Sequence, residues 1–385
     1  MNFLFASDSF KGTLTSEETI SLLTKAAEEV FPGCNCTGVP VADGGEGTTK
    51  AVVSAVGGRL HFVTLHGPLM EIERAYYGML PGGSAILEMA SASGLPLVAP
   101  KDRNPLKTTT YGTGELLLAA LENGTTDIFL AIGGSATNDG GMGFARALGA
   151  RFLDADGNEL SGCGEDLIRV HDIDLSSLHP LAKKAKITVM SDVTNPLCGR
   201  NGATRTFGAQ KGAAPEMIEE LEEGMQNYRD VIRRSFGVDP DTIPGAGAAG
   251  GLGTALSVFL SAAMRSGIET VLDLVHFDEK LEGVDLVVTG EGRTDWQSAF
   301  GKVMQGVGER AKAHGVPAVA LSGSLGPKYE DIYAHGIEGI LTTVDAPMAL
   351  EDALKNASDM YEKGAVRLFR TIRAGLLMGK KGGSL

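Results

Sequence analysis

A chain of 385 residues has room for one very large domain or two ordinary ones. At 43% hydrophobic and 21% charged it has an ordinary globular composition, and no apolar run approaches the length of a membrane span. The net charge of −14, with no basic stripe to offset it, argues against nucleic acid as a partner and obliges any phosphate site to supply its own cations and amides.

Glycine is the outlier. Its 53 residues are about twice the usual share, and they are not periodic, which excludes a fibre. They cluster in loops, where backbone can approach a ligand closely. Of the cysteines, only Cys34 and Cys36 are near one another, and CxC without a second cluster is poor metal spacing. Free thiols in a reducing cytoplasm are expected. The start, MNFLFASDSFKG, lacks a basic n-region and reads as a strand rather than a signal peptide.

Taken in order, Asn2 to Ala6 is a short apolar strand. It runs into the polar loop Ser7 to Gly12, then a helix with Thr15 or Ser16 as N-cap, ended by Pro32-Gly33. Val39 to Ala42 reads as a second strand, emptying into Asp43-Gly44-Gly45-Glu46-Gly47-Thr48 and a helix from about Thr49. Leu60 to Leu65 is a third strand. From Tyr76 the texture becomes less regular.

Leu116 to Glu122 reads as a helix and Asp127 to Ile132 as a strand ending in Gly133-Gly134-Ser135-Ala136-Thr137-Asn138-Asp139-Gly140-Gly141. Ala145 to Ala150 continues as a helix. Ile187 to Met190 feeds Ser191 to Leu197, and Glu216 to Phe236 is a long amphipathic helix. Gly245 to Gly253 is expected to open an apolar helix running to about Ser266. Regular texture resumes after His276: the strand end Leu286-Val287-Val288, a loop with Gly290, Glu291, Gly292, Arg293 and Asp295, and Gly301-Lys302 leading into a helix over Val303 to His314. Strands at Ala318 to Leu321 and Ile337 to Thr342 follow, then a helix over about Leu354 to Leu376. The tail, GKKGGSL, is expected to fray.

The fold class is α/β. The expected architecture is a doubly wound, mostly parallel, Rossmann-like domain from residues 1–75 and 276–385, with a second α/β domain, residues 76–275, inserted. Two domains in a row is the other arrangement.

Five loops follow apolar runs: Asp8 to Gly12, Asp43 to Thr48, Gly133 to Gly141, Asp192 to Leu197, and Gly290 to Asp295. In a parallel sheet such loops lie at the carboxyl ends of strands, where ligands bind. They carry carboxylates (Asp8, Asp43, Glu46, Asp139, Asp192, Glu291, Asp295), the cations Lys11 and Arg293 with Lys302 just beyond, and glycines with free amides. That inventory suits phosphoryl transfer, because Mg²⁺ takes oxygen ligands and a transferring phosphoryl group needs cations and amides. Each residue also has an ordinary reading: Lys11 as a solvated lysine, Asp43 as a turn-former, Asp139 as a helix cap, Asp192 as the head of an Asx turn.

No G-x-x-x-x-G-K-[ST] is present, which excludes a P-loop kinase. Gly245-Ala246-Gly247-Ala248-Ala249-Gly250 matches G-x-G-x-x-G, which keeps an NAD-dependent hydroxy-acid dehydrogenase in view. The preceding DPDTIP holds two prolines, though, and is no central strand.

The ordered motifs DSFKG, ADGGEGT, IGGSATNDGG, SDVTNPL, FGAQKGA, GAGAAGGLG and TGEGRTDWQSAFGK resemble the glycerate kinase type 1 family, over Phe3 to about Leu325. The resemblance implies ATP-dependent phosphorylation of D-glycerate with Mg²⁺, and two α/β domains, one inserted in the other. Asp192, Lys11 and Arg293 are the catalytic candidates, Asp192 as the carboxylate near the attacking hydroxyl. Asp43 and Asp295 are the candidates for Mg²⁺. Asp8, Ser9, Gly44, Gly45, Glu46, Gly133, Gly134, Ser135, Asn138, Asp139, Asn195, Glu291 and Lys302 are the candidates for binding glycerate and nucleotide. The expected product is 2-phosphoglycerate; 3-phosphoglycerate and a non-catalytic nucleotide-binding module are the alternatives. A cytoplasmic enzyme is expected, and a homodimer is compatible with the sequence. Two departures stand out. The family's Pro after Gly-Lys is absent from Val303-Met304-Gln305, and Trp296 is bulky enough to wall a substrate pocket.

Overall fold

Asn2–Phe5 and Leu286–Thr289 come from distant parts of the chain yet pair as parallel strands in the computed structural model, which describes residues 1–379. They are the centre of a five-stranded sheet ordered Ile337–Thr342, Ala318–Ser322, Leu286–Thr289, Asn2–Phe5, Asn35–Gly38. All four pairings are parallel. Phe3, Leu4, Phe5, Val287 and Val288 are buried, as continuous apolar strands covered on both faces must be. Phe3 and Phe5 also pack against Phe369 of the Ala357–Gly379 helix. This first unit comprises residues 1–43, 54–56 and 268 onward.

The second unit comprises residues 44–53 and 57–267. Its six-stranded sheet is ordered Ala263–Arg265, Lys186–Met190, Asp127–Ala131, Ala85–Glu88, Ile72–Met79, Arg59–His66. The first four are parallel, and the last two form an antiparallel extension. A separate core around Leu87, Leu130, Phe144, Phe152 and Tyr228 holds this unit together.

The α/β class and the mostly parallel sheets agree with the sequence, and several local expectations hold. Thr15 caps the Ser16–Val30 helix in a capping box with Glu18. The long helix is Pro215–Phe236. The differences have local causes. Val39–Ala42 is not a strand, because Pro40 has no amide to donate; the pairing segment is the polar edge strand Asn35–Gly38. The boundary expected near residue 75 falls inside the Ile72–Met79 strand, whose Arg59–His66 partner also belongs to the second unit. The helix expected to run to Ser266 is broken early. Ala249, Gly250 and Gly251 are left-handed, Ala255–Phe259 is a π turn, and Ala263–Arg265 is a sheet strand. The expected C-terminal helix is two, Leu350–Lys355 and Ala357–Gly379. The fraying expected for the tail concerns Lys380 to Leu385, which lie outside the described residues.

Candidate active site

In the first unit, four strands end side by side and their loops converge, as open parallel sheets dictate. Asp8 to Thr13 follows Asn2–Phe5, Glu291 to Arg293 follows Leu286–Thr289, Gly323-Ser324 follows Ala318–Ser322, and Thr343-Val344 follows Ile337–Thr342. Together with Lys302 they line a pocket of about 350 Å³. Close approach is built in at Gly290, where a Cβ would lie 1.9 Å from the Leu321 carbonyl oxygen. The Asp8 amide donates to the Gly290 carbonyl at 2.9 Å, and the Gly323 amide to the Glu291 carbonyl at 3.0 Å, locking the loops together. One wall is apolar: Leu350 and Leu354, 73% and 48% exposed, stand there with Met360. Apolar side chains left that open beside three cations have the character of a ligand wall.

The electrostatics of this pocket are strained. The Asp8 carboxyl is pushed up to about 7, chiefly by burial, with the neighbouring Asp43 and Glu291 adding to the rise and Lys11 opposing it. Burial also raises Glu291, and its Oε1 is buried without a partner. Excess carboxylate with an orphaned oxygen fits a divalent cation. Among the described residues, no group of three or more metal-binding side chains forms a ready cage, so such an ion would need phosphate oxygens as well.

Asp295 is committed elsewhere. Its Oδ1 accepts from the Gln297 amide at 2.9 Å, and its Oδ2 lies 3.6 Å from Arg293 Nε. It caps the Trp296–Ala299 turn, so its expected place on a metal competes with a structural one. Trp296 does not wall the pocket; it is exposed and meets Phe300 edge-on.

In the second unit, Gly133 to Ser135 follow the Asp127–Ala131 strand, and Ser191 to Val193 follow Lys186–Met190. Gly133 meets the ADGGEGT loop, where a Cβ would stand 2.8 Å from Gly45 Cα. Gly133, Gly134, Ser135, Ser191 and Val193 line a pocket of about 270 Å³ with Ala249 and Lys211. Asp192 is exposed between two pocket-lining residues, and its Oδ1 accepts from the Gly267 amide at 3.2 Å. Glu46 is exposed, and Asn195 ties its own loop by donating to the Asn201 carbonyl at 2.7 Å.

Two expected binding residues face the interior instead. Asp139 is fully buried and accepts from the Thr110 amide and hydroxyl, both at 2.7 Å, and from the Gly141 and Gly143 amides. Burial raises its carboxyl while those donors pull it down. Its oxygens hold the loop in place, and none is offered to a ligand. Asn138 is equally buried and donates to Thr204 Oγ1 at 3.0 Å. The residue that sequence reasoning missed is Lys211, 2% exposed, with Nζ donating to the Thr137 carbonyl at 2.6 Å. Its only sequence signal is a lysine set between Gly208 and Gly212 in FGAQKGA.

Cation-bearing and glycine-bearing loops gather at the carboxyl ends of parallel strands, where α/β enzymes bind their ligands. The match to known proteins makes this specific. Residues 3–373 match the model of the glycerate kinase family. The chain is 44% identical to glycerate 2-kinase of Escherichia coli (strain K12), covering 98% of this chain and 99% of the relative. It is 43% identical to glycerate kinase of Bacillus cereus, covering 95% and 96%. The crystal structure of a protein assigned as glycerate kinase 2 from Salmonella typhimurium LT2 superposes with a TM-score of 0.85 at 43% identity, covering 98% of this chain and 99% of that one. The chain belongs to the glycerate kinase family. No helix among the described residues is long and apolar enough to cross a membrane.

Proposed function

We propose that the chain transfers the γ-phosphoryl group of ATP to the 2-hydroxyl of D-glycerate, giving 2-phosphoglycerate and ADP. The first-unit pocket carries this reading: cations, carboxylates and an exposed apolar wall at the ends of four parallel strands. Leu350, Leu354 and Met360 would receive the base, and Lys11, Lys302 and Arg293 the phosphates. The relative named glycerate 2-kinase supports the 2-position.

In the transfer, the glycerate oxygen bonds to the γ-phosphorus as the bridging P–O bond breaks, and its electron pair leaves with ADP. The hydroxyl proton goes to a carboxylate; Asp192 is the candidate, at the strand end beside the Ser191 and Val193 pocket residues. A bound Mg²⁺ would neutralise charge on the β- and γ-oxygens. Asp43 would hold it, with Glu291 taking the part expected of Asp295, because Glu291 Oε1 is buried without a partner.

A coupled ADP-release assay with and without D-glycerate, followed by phosphorus NMR of the product, tests the reading. ADP release that requires both substrates and an ester on the secondary carbon are expected. A nicotinamide absorbance change without ATP would place the chain among dehydrogenases, and binding without turnover would make it a binding module. An ester on the terminal carbon would overturn the 2-position. In the same assay Asp192→Asn is expected to lower kcat about 10²–10⁴-fold at unchanged glycerate affinity; near wild-type turnover removes Asp192 from the role.

A further inference from the structure

The second-unit pocket contains a charge that the fold alone does not explain. Lys211 is almost wholly buried, yet among the described residues no carboxylate forms an ion pair with it, and the one side-chain hydrogen bond of its ammonium goes to the Thr137 carbonyl. Lys211 lines the pocket with Gly133, Gly134, Ser135 and Ser191. Buried cations are ordinarily paired, and an unpaired one beside an open cavity is a site for an anion.

The backbone around the ammonium is built to hold it still. Ala249, another lining residue, sits at φ 54° and ψ 39°, a conformation that alanine rarely adopts. Gly250 follows in the same left-handed conformation, so tight on Thr137 that a Cβ would lie 2.1 Å from the very carbonyl oxygen that Lys211 holds. In the same loop, Thr137 Oγ1 and Asn138 Oδ1 are buried without partners. Strain and orphaned polar groups gather where a ligand completes the structure.

We propose that Lys211 is a substrate-positioning residue that anchors the carboxylate of the three-carbon hydroxy acid in the second-unit pocket. Ser135 and Ser191 offer hydroxyls for the acid's own hydroxyl groups. Burial that drives the Lys211 ammonium down to about 7 in the unliganded pocket gives it reason to take an anionic partner. The assignment rests on the glycerate kinase reading and adds to it which residue recognises the acid.

Isothermal titration calorimetry on the full chain tests it, with D-glycerate and a non-hydrolysable ATP analogue titrated separately into wild type and Lys211→Met. Glycerate affinity is expected to fall tenfold or more while the ATP analogue binds unchanged. Unchanged glycerate affinity, or loss of the ATP analogue instead, overturns the assignment. Lys211→Met also leaves the Thr137 carbonyl without a donor, so two measurements do not depend on that variant folding. Val193→Trp, which fills the pocket and leaves Lys211 intact, is expected to abolish glycerate binding and spare the ATP analogue; normal glycerate binding would overturn the proposal. Wild type is expected to bind neutral D-glyceramide at least tenfold more weakly than D-glycerate, and equal affinities would exclude a charge anchor. Wild type that fails to release ADP with glycerate defeats the kinase reading instead, an outcome visible before any variant is made.

Discussion

Lys211 and Asp139 show how one fold treats two buried charges. Asp139 is surrounded by donors and serves the loop; among the described residues the Lys211 ammonium has one carbonyl partner, and Lys211 lines a cavity. Burial lowers the Lys211 ammonium to about 7, with Asp139 opposing that shift. The folded chain therefore gives up a proton near pH 7 that the unfolded chain keeps until its ordinary value of 10.5. Below about 7 the burial penalty is felt in full, and across the window up to 10.5 the unfolded state binds more protons, so stability from this group rises with pH. Urea denaturation of wild type and Lys211→Met should show wild type gaining on the variant from about pH 7 to about pH 9, by up to ~1.4 kcal/mol per pH unit. A constant difference would mean that the ammonium keeps its ordinary affinity for protons.

At the scale of elements, the left-handed turn from Ala249 to Gly251 brings Ala249 to the pocket lining and packs Gly250 on Thr137. A Gly250→Ala side chain would meet the Thr137 carbonyl in a backbone conformation that L residues resist. Destabilisation of more than about 1 kcal/mol is expected, together with weaker glycerate binding, because the displaced carbonyl is Lys211's acceptor. Thermal denaturation and calorimetry check both; a stable variant with normal glycerate affinity would show the turn to be passive. Neither this turn nor Lys211 was legible in the sequence. A Gly-Ala run reads locally as a helix start, and only packing on residues 137–140 makes it left-handed. A loop lysine reads as solvated until tertiary structure buries it. The parallel strands and their loops were legible, because apolar runs that end in glycine and charge carry a local signal. Asp8, Lys11, Glu291, Arg293 and Lys302 do line one pocket. Asp139 and Asn138 share that local signal, but they line neither pocket, and loop donors occupy the Asp139 carboxylate.

At the scale of the molecule, the two units have separate cores, and the proposed reading gives each its own ligand. Hydrogen exchange followed by mass spectrometry should register this. An ATP analogue is expected to slow exchange across residues 8–13 and 290–302, and D-glycerate across 133–135, 191–193 and 249–251. Protection of one set by both ligands would contradict the division of labour. The make-up of the first unit has a further consequence, in the timing of synthesis. Its central strand, Asn2–Phe5, lies between Asn35–Gly38 and Leu286–Thr289. Residues 57–267 are translated in between and contain nearly all of the second unit. At ordinary rates of about 5–20 residues per second, the ribosome needs tens of seconds at the slow end to reach Leu286. For that interval the nascent chain holds Phe3 and Phe5 with one edge strand and the Ser16–Val30 helix, but without Leu286–Thr289 or the helix that carries Phe369. The emerging amino-terminal segment is then a natural client for chaperones, while the second unit already has what it needs to close its own core.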